Sequence, residues 1–165
     1  ISPKSLKIKS PKETGKTFSE NAKLKANYFY KHSGLPVISD DSGLCIKSLD
    51  DKPGIYSARW AKKYGSFHKA MQFILKKMKN KKDRSAFFIC SLSFKDSKGK
   101  ITTVVGKLNG SISLKITGTK GFGYDPIFIP RLESITFGQM PKMKKIKMDH
   151  RYLAFEKMKK KIRIL

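Results

Sequence analysis

The sequence predicts an α/β protein from three observations: a capped helical pattern before residue 34, a second apolar-striped helix after residue 65, and β-patterned segments from 85 to 129. Residues 1–16 are polar and broken by Pro3, Pro11 and Gly15, with Leu6 and Ile8 alternating as a short strand. From Thr17 to Ser33, Ala22, Ala26 and Phe29 share one face. Thr17 and Glu20 match a capping box and Gly34 supplies the stop. Pro36 to Ser39 then reads as a short strand, Asp40-Asp41-Ser42-Gly43 as a turn, and Leu44 to Leu49 as another strand. Residues 50–64 read as a loop around Pro53-Gly54. Ser66 opens a helix whose Phe67, Ala70, Met71, Ile74, Leu75 and Met78 form the stripe. Ser85 to Phe94 and Ile101 to Leu108 read as an antiparallel pair, with Ile112 to Ile116 extending the meander. A Gly-rich loop, Gly118 to Asp125, precedes the apolar run Ile127-Phe128-Ile129. The final helix is expected from about Met148 to Ile162.

Thirty-seven Lys and Arg face twelve Asp and Glu across 165 residues, a formal net charge of +25 that invites polyanions of any kind. Only Arg59, Arg84, Arg131, Arg151 and Arg163 are arginine, so the planar fork of bidentate base readout is scarce. Lysine bias alone accounts for much of this charge. At 39% hydrophobic the chain can furnish a core. No stretch approaches the roughly 18 to 20 apolar residues of a membrane span, and no signal-peptide pattern opens the chain, so a cytoplasmic protein is expected. Cys45 and Cys90 lie in apolar segments without metal spacing and read as buried free thiols. With three His residues, any metal falls to carboxylates.

Among so few acids, the adjacent pair Asp40-Asp41 after an apolar strand asks for a cation. Mg²⁺ held by one or two carboxylates and substrate phosphates suits that supply. Neighbouring residues on a strand face opposite sides, so one carboxylate is expected in the site and the other in hydrogen bonds beside it. An ordinary Asx turn is the alternative. Glu20 reads either as the N3 member of its capping box or as a further ligand. The loop T-G-T-K-G-F-G-Y-D-P reads as a ligand-approaching segment or as a tight turn; it is not a P-loop. His150-Arg151 at a helix start suits an anion, unless Asp149 caps that helix and both basic residues are exposed.

In order, E-T-G-K-T-F-S-E-N-A-K-L-K-A (13–26), S-D-D-S-G-L (39–44), P-G-I-Y-S-A-R (53–59), G-F-G-Y-D-P-I-F (121–128) and D-H-R (149–151) resemble the inosine triphosphate pyrophosphatase family of non-canonical purine nucleoside triphosphate pyrophosphatases. The resemblance runs over nearly the whole chain. It implies an elongated mixed sheet flanked by helices, two lobes with a central cleft, and a homodimer. It implies hydrolysis of ITP, dITP or XTP to the monophosphate and pyrophosphate with Mg²⁺, cleansing the nucleotide pool. Asp41 matches the catalytic and metal-binding position, with Glu20 as second metal carboxylate and Asp40 beside them. Ser42 matches a substrate contact, and Phe122, Gly123, Tyr124 and Asp125 match the loop on base and sugar. Lys145 matches the family's substrate-binding lysine five residues before the His of the final motif, and His150 and Arg151 match the pair that reads the purine 6-oxo edge and packs near it. The family has Ser where this chain has Asp149, which leaves a capping residue in place.

Residues 1–16 lack the family's opening strand and T-x-N-x-x-K motif, and the chain starts at Ile1. Residues 1–165 are therefore read as one domain short of its N-terminal strand, phosphate loop and helix. Two competing functions follow from the same residues. A basic nucleic-acid-binding module would use the charge and be indifferent to Asp41, and an inactive nucleotide-binding relative would explain the missing motif. The acidic turn argues against the first.

Overall fold

The computed structural model describes residues 1–162. Helix α1 spans Phe18–Ser33; Thr17 accepts from the Glu20 amide, and Gly34 closes the helix in the left-handed region. Strand β1, Val37–Ile46, runs unbroken through Asp40-Asp41-Ser42-Gly43. The expected turn is absent because every residue of β1 pairs antiparallel with β3, Ser85–Lys95, from Val37 opposite Lys95 to Ile46 opposite Ala86. Long-range pairing overrides the local turn preference of Asp, Ser and Gly.

Strand β2, Lys52–Pro53, adds a two-residue edge to β1. Residues expected as loop then coil into helix α2, Ser57–Tyr64, stopped by Gly65. Helix α3, Phe67–Lys77, starts on a Ser66 cap. Strand β4, Ile101–Ile112, pairs with β3 along its length, and β5, Phe128–Pro130, pairs with the end of β4. The sheet order is β2-β1-β3-β4-β5. The α/β class is as expected, and among the described residues the four strand pairings are all antiparallel. The meander does not continue as a strand to Ile116; Ser113 and Thr117 instead bond the carbonyls of Ile127 and Pro126. Leu6 and Ile8 lie in helical turns closed on Ser2 and Pro3 rather than in a strand. Two more helices follow, α4 (Lys142–Ile146), which the sequence did not reveal, and α5 (His150–Ile162).

Side-chain alternation assigns the two faces of the sheet. Leu44, Ile46, Ala86 and Phe88 join α3, Phe128, Phe137 and Met140 in the main core. Farther along that face, Cys90, Leu92 and Val104 pack on Ala154 and Met158 of α5. Gly106 lets α5 approach: a Cβ there would collide with the His150 carbonyl and the Ala154 backbone. Helix α1 lies on the other face, where the Ser39 hydroxyl donates to the Ala22 carbonyl at 2.7 Å and the Ser19 and Ser91 hydroxyls meet at 3.0 Å. Among the described residues no helix is long and apolar enough to cross a membrane.

Candidate active site

A cleft of about 270 Å³ opens where β1, α2, the Gly-rich loop and the start of α5 converge. It gathers Asp40, Asp41, Ser42, Phe122, Gly123, Tyr124, Asp125, Lys145, His150 and Arg151 from distant parts of the chain. Glu20 is not among its lining residues. That carboxylate accepts from the Lys16 amide at 2.7 Å, so it serves the start of α1. Glu13, which the sequence reading passed over, stands at the cleft instead.

On the α1 face, Asp41 is buried. The Asn21 amide donates to its Oδ2 at 3.1 Å, and the Lys25 ammonium lies 3.4 Å from Oδ1. Lys25 also donates to Glu13 Oε1 at 2.7 Å, so one ammonium bridges two carboxylates. Burial raises the Asp41 pKa above the ordinary carboxylate value, with Lys25 and Asn21 pulling the other way. Burial also disfavours charge on Lys25, yet the Glu13 hydrogen bond and the charges of Asp41, Glu13 and Asp40 prevail and raise its pKa. Arg59 reaches the same corner, 3.8 Å from Glu13 Oε2. Asn21 and Lys25 lie one helical turn apart, a spacing that sets both over the strand beneath. That spacing was the available signal for the pair. For Glu13 the signal was its place at the head of the 13–26 motif, and the path of residues 13–17 brings it back to the cleft.

Asp40 faces the opposite side of β1, as the alternation requires. Its Oδ2 accepts from the Ser42 hydroxyl at 2.8 Å and lies 3.5 Å from Arg151 Nε. Asp41 and Glu13 converge on a cation and could hold a metal together, whereas Asp40 and Glu20 are committed elsewhere. No cluster of three or more His, Cys, Asp or Glu residues suited to a metal occurs among the described residues.

The Gly-rich loop folds over Asp125, whose side chain is buried. Asp125 Oδ2 accepts from the Phe122 amide at 2.5 Å and from Lys145 Nζ at 2.6 Å. A Cβ on Gly121 would collide with that carboxylate, and its φ of +80° is a region side chains avoid. Burial raises the Asp125 pKa, opposed chiefly by the Lys145 hydrogen bond. Asp125 thus organises the loop and ties it to α4. The two loop aromatics separate: Tyr124 is buried with its hydroxyl on the Ser57 carbonyl at 2.9 Å, while Phe122 is 69% exposed, edge-on to Phe67. Only Phe122 is free to meet a planar ligand.

Asp149 caps α5 by accepting from the Tyr152 amide at 2.8 Å, which leaves that helix start less available to an anion. His150 is nevertheless buried, stacked on Phe88 with ring centroids 4.8 Å apart. Burial, with Arg151 and Lys145 nearby, pushes its pKa down to about 3, so the ring is neutral at pH 7. Cys45 and Cys90 are free, and burial pushes their thiols up to about 12 and about 11.

The sequence profile of the Ham1 family matches residues 1–161. A protein of Dictyoglomus thermophilum named dITP/XTP pyrophosphatase is 45% identical over 152 residues, 90% of this chain and 74% of that protein. The solved Ham1 protein of Coxiella burnetii superposes with a TM-score of 0.92 at 32% identity, covering all of this chain and 86% of its own. The Staphylococcus aureus Ham1 protein gives 0.90 at 35% identity, over 98% of this chain and 84% of that one. With residues 1–161 matched in sequence and the fold superposing on solved Ham1 proteins, this chain belongs to the Ham1 family.

Proposed function

We propose that this chain hydrolyses the non-canonical purine nucleoside triphosphates ITP, dITP and XTP to the monophosphate and pyrophosphate. Membership of the Ham1 family and the naming of its relatives as dITP/XTP pyrophosphatases support the activity. The observation that carries it is the division of one cleft into two chemistries. A buried carboxylate beside clustered cations stands on one side, and an exposed phenyl ring with a neutral imidazole on the other.

Asp41 is the general base. Burial keeps its carboxylate more basic than an exposed one, which favours taking a proton from the water that attacks the α–β anhydride. Asn21 and Lys25 hold its two oxygens apart and fix their direction. Lys25, Arg59 and Lys145 supply positive charge for phosphate oxygens. A Mg²⁺ ion fits the same corner, held by Asp41 and Glu13, because two carboxylates plus substrate phosphates is its usual donor set. An ion held there by Asp41 and Glu13 would supply positive charge against that developing on the phosphates.

On the base side, Phe122 stacks on the purine and His150 with Arg151 meets its 6-oxo edge. A buried donor left unpaired by adenine's amino group is the physical basis of discrimination. The buried free thiols fit a reducing compartment, and we place the enzyme in the cytoplasm as a homodimer. Pyrophosphate release with Mg²⁺ tests the activity. It is expected with ITP, dITP and XTP and to be at least about a hundredfold slower with ATP. Equal turnover of ATP, or none with the three 6-oxo substrates, overturns the reading. Light scattering tests the dimer.

A further inference from the structure

Asp40 stands beside the proposed base, yet none of its contacts serves phosphate chemistry. Its Oδ2 takes the Ser42 hydroxyl at 2.8 Å and faces Arg151 Nε at 3.5 Å. Among the described residues it is the one carboxylate within 4.0 Å of that guanidinium. The other end of Arg151 reaches sideways: Nη1 lies 3.2 Å from His150 Nε2. A guanidinium has donors and no acceptor, so Nε2 must be the acceptor in this contact. A neutral imidazole that accepts at Nε2 carries its proton on Nδ1. Nδ1 is buried and has no hydrogen-bond partner among the described residues. The ring lies flat on Phe88, 12° from parallel, which fixes its plane, and the Arg151 contact at Nε2 fixes which edge faces that side; in this orientation the tautomer decides what Nδ1 offers.

We propose that Asp40, steadied by Ser42, is a positioning residue: it aims Arg151 at His150 Nε2 and so fixes the Nδ1–H tautomer that discriminates 6-oxo from 6-amino purines. The inference rests on the substrate class proposed above and assigns a role to a carboxylate that the sequence placed with the metal. The Arg151 side chain is 52% exposed, and without an anchor it disperses among rotamers. His150 Nε2 then loses its donor and the ring populates the other tautomer, whose Nδ1 lone pair accepts from an amino group. Selectivity falls because the wrong base is no longer penalised, while Asp41 is left with its own partners on the opposite face.

Asp40→Ala and Asp40→Asn, compared with the wild type, test this relay. In ¹⁵N-labelled, substrate-free protein at pH 7, the His150 ring signals are expected to show Nδ1 protonated in the wild type. A shift toward Nε2–H is expected in Asp40→Ala. The ratio of kcat/KM for ITP to that for ATP is expected to fall about tenfold or more in Asp40→Ala, through KM for ITP, with kcat within a few-fold. Asp40→Asn retains an oxygen that accepts from Ser42 and Arg151, and is expected to recover the tautomer and much of the ratio. A His150 proton that stays on Nδ1 in Asp40→Ala overturns the relay, and a shifted tautomer with unchanged selectivity overturns its link to substrate choice. A collapse of kcat in both variants with a raised Mg²⁺ requirement returns Asp40 to the metal. If the wild type fails to turn over ITP, the substrate reading fails, and the tautomer measurement still decides the relay.

Discussion

Lys25 is a bridge between two carboxylates, and that single ammonium shapes what removing Asp41 should do. Asp41→Asn keeps the shape and the Asn21 contact but removes the basic oxygen. Turnover of ITP is expected to drop by about 10² to 10⁴ with KM changed little, measured by pyrophosphate release. Stability should move the opposite way. Because the folded-state pKa of Asp41 is raised, its contribution is fully present below the ordinary aspartate value and is lost as pH rises through the folded value. The amide cannot ionise. Without divalent cation the variant is therefore expected to melt no lower than the wild type at pH 7, with the gap closing at acid pH in a thermal titration. Asp41 was legible in the sequence because two adjacent acids are conspicuous in a lysine-rich chain. Its partners were not equally so. Lys25 is one among many lysines, and Glu13 reaches the site only through the fold of the segment before α1.

At the scale of elements, the reading of β1 shows what local preference can and cannot decide. Asp, Ser and Gly favour turns in isolation, yet ten consecutive pairings with β3 hold them extended. The cap signals at Thr17, Gly34 and Ser66 fixed two helices because caps are settled within a few residues of chain. Helix α2 was hidden by its short length and the Pro53-Gly54 before it. Helix α5 follows from the sequence, but its position on the sheet is set by contact, since its backbone rests on Gly106. A methyl group there must push α5 off the sheet and carry His150 with it. Gly106→Ala is expected to cost about 1 to 3 kcal/mol in chemical denaturation and to raise KM for ITP more than it lowers kcat. A variant as stable as the wild type with unaltered KM would show that α5 does not depend on this approach.

Across the whole molecule, the formal charge of +25 first reads as the functional clue, yet the cleft uses only a few of those cations. The rest form a positive field around it. Such a field draws in a polyanionic nucleotide, so KM for ITP is expected to rise several-fold between low salt and about 0.5 M salt while kcat holds, read by steady-state assays at fixed free Mg²⁺. A flat KM would mean that the lysines outside the cleft are bystanders to substrate capture. The α/β class, helices α1, α3 and α5 and the β3–β4 hairpin followed from patterning, while helices α2 and α4 and the antiparallel pairing of β1 with β3 did not, because alternation does not encode which strand a segment pairs with or in which direction.

The neighbouring placement of Asp40 and Asp41 on opposite faces of one extended strand makes pairing register part of the chemistry. Insertion or deletion of a single residue in β1 ahead of them would exchange the faces and hand each carboxylate to the other's partners. The motif can thus absorb altered side chains more readily than altered length, and length variation within this family should gather in the connections on either side of β1 rather than inside it.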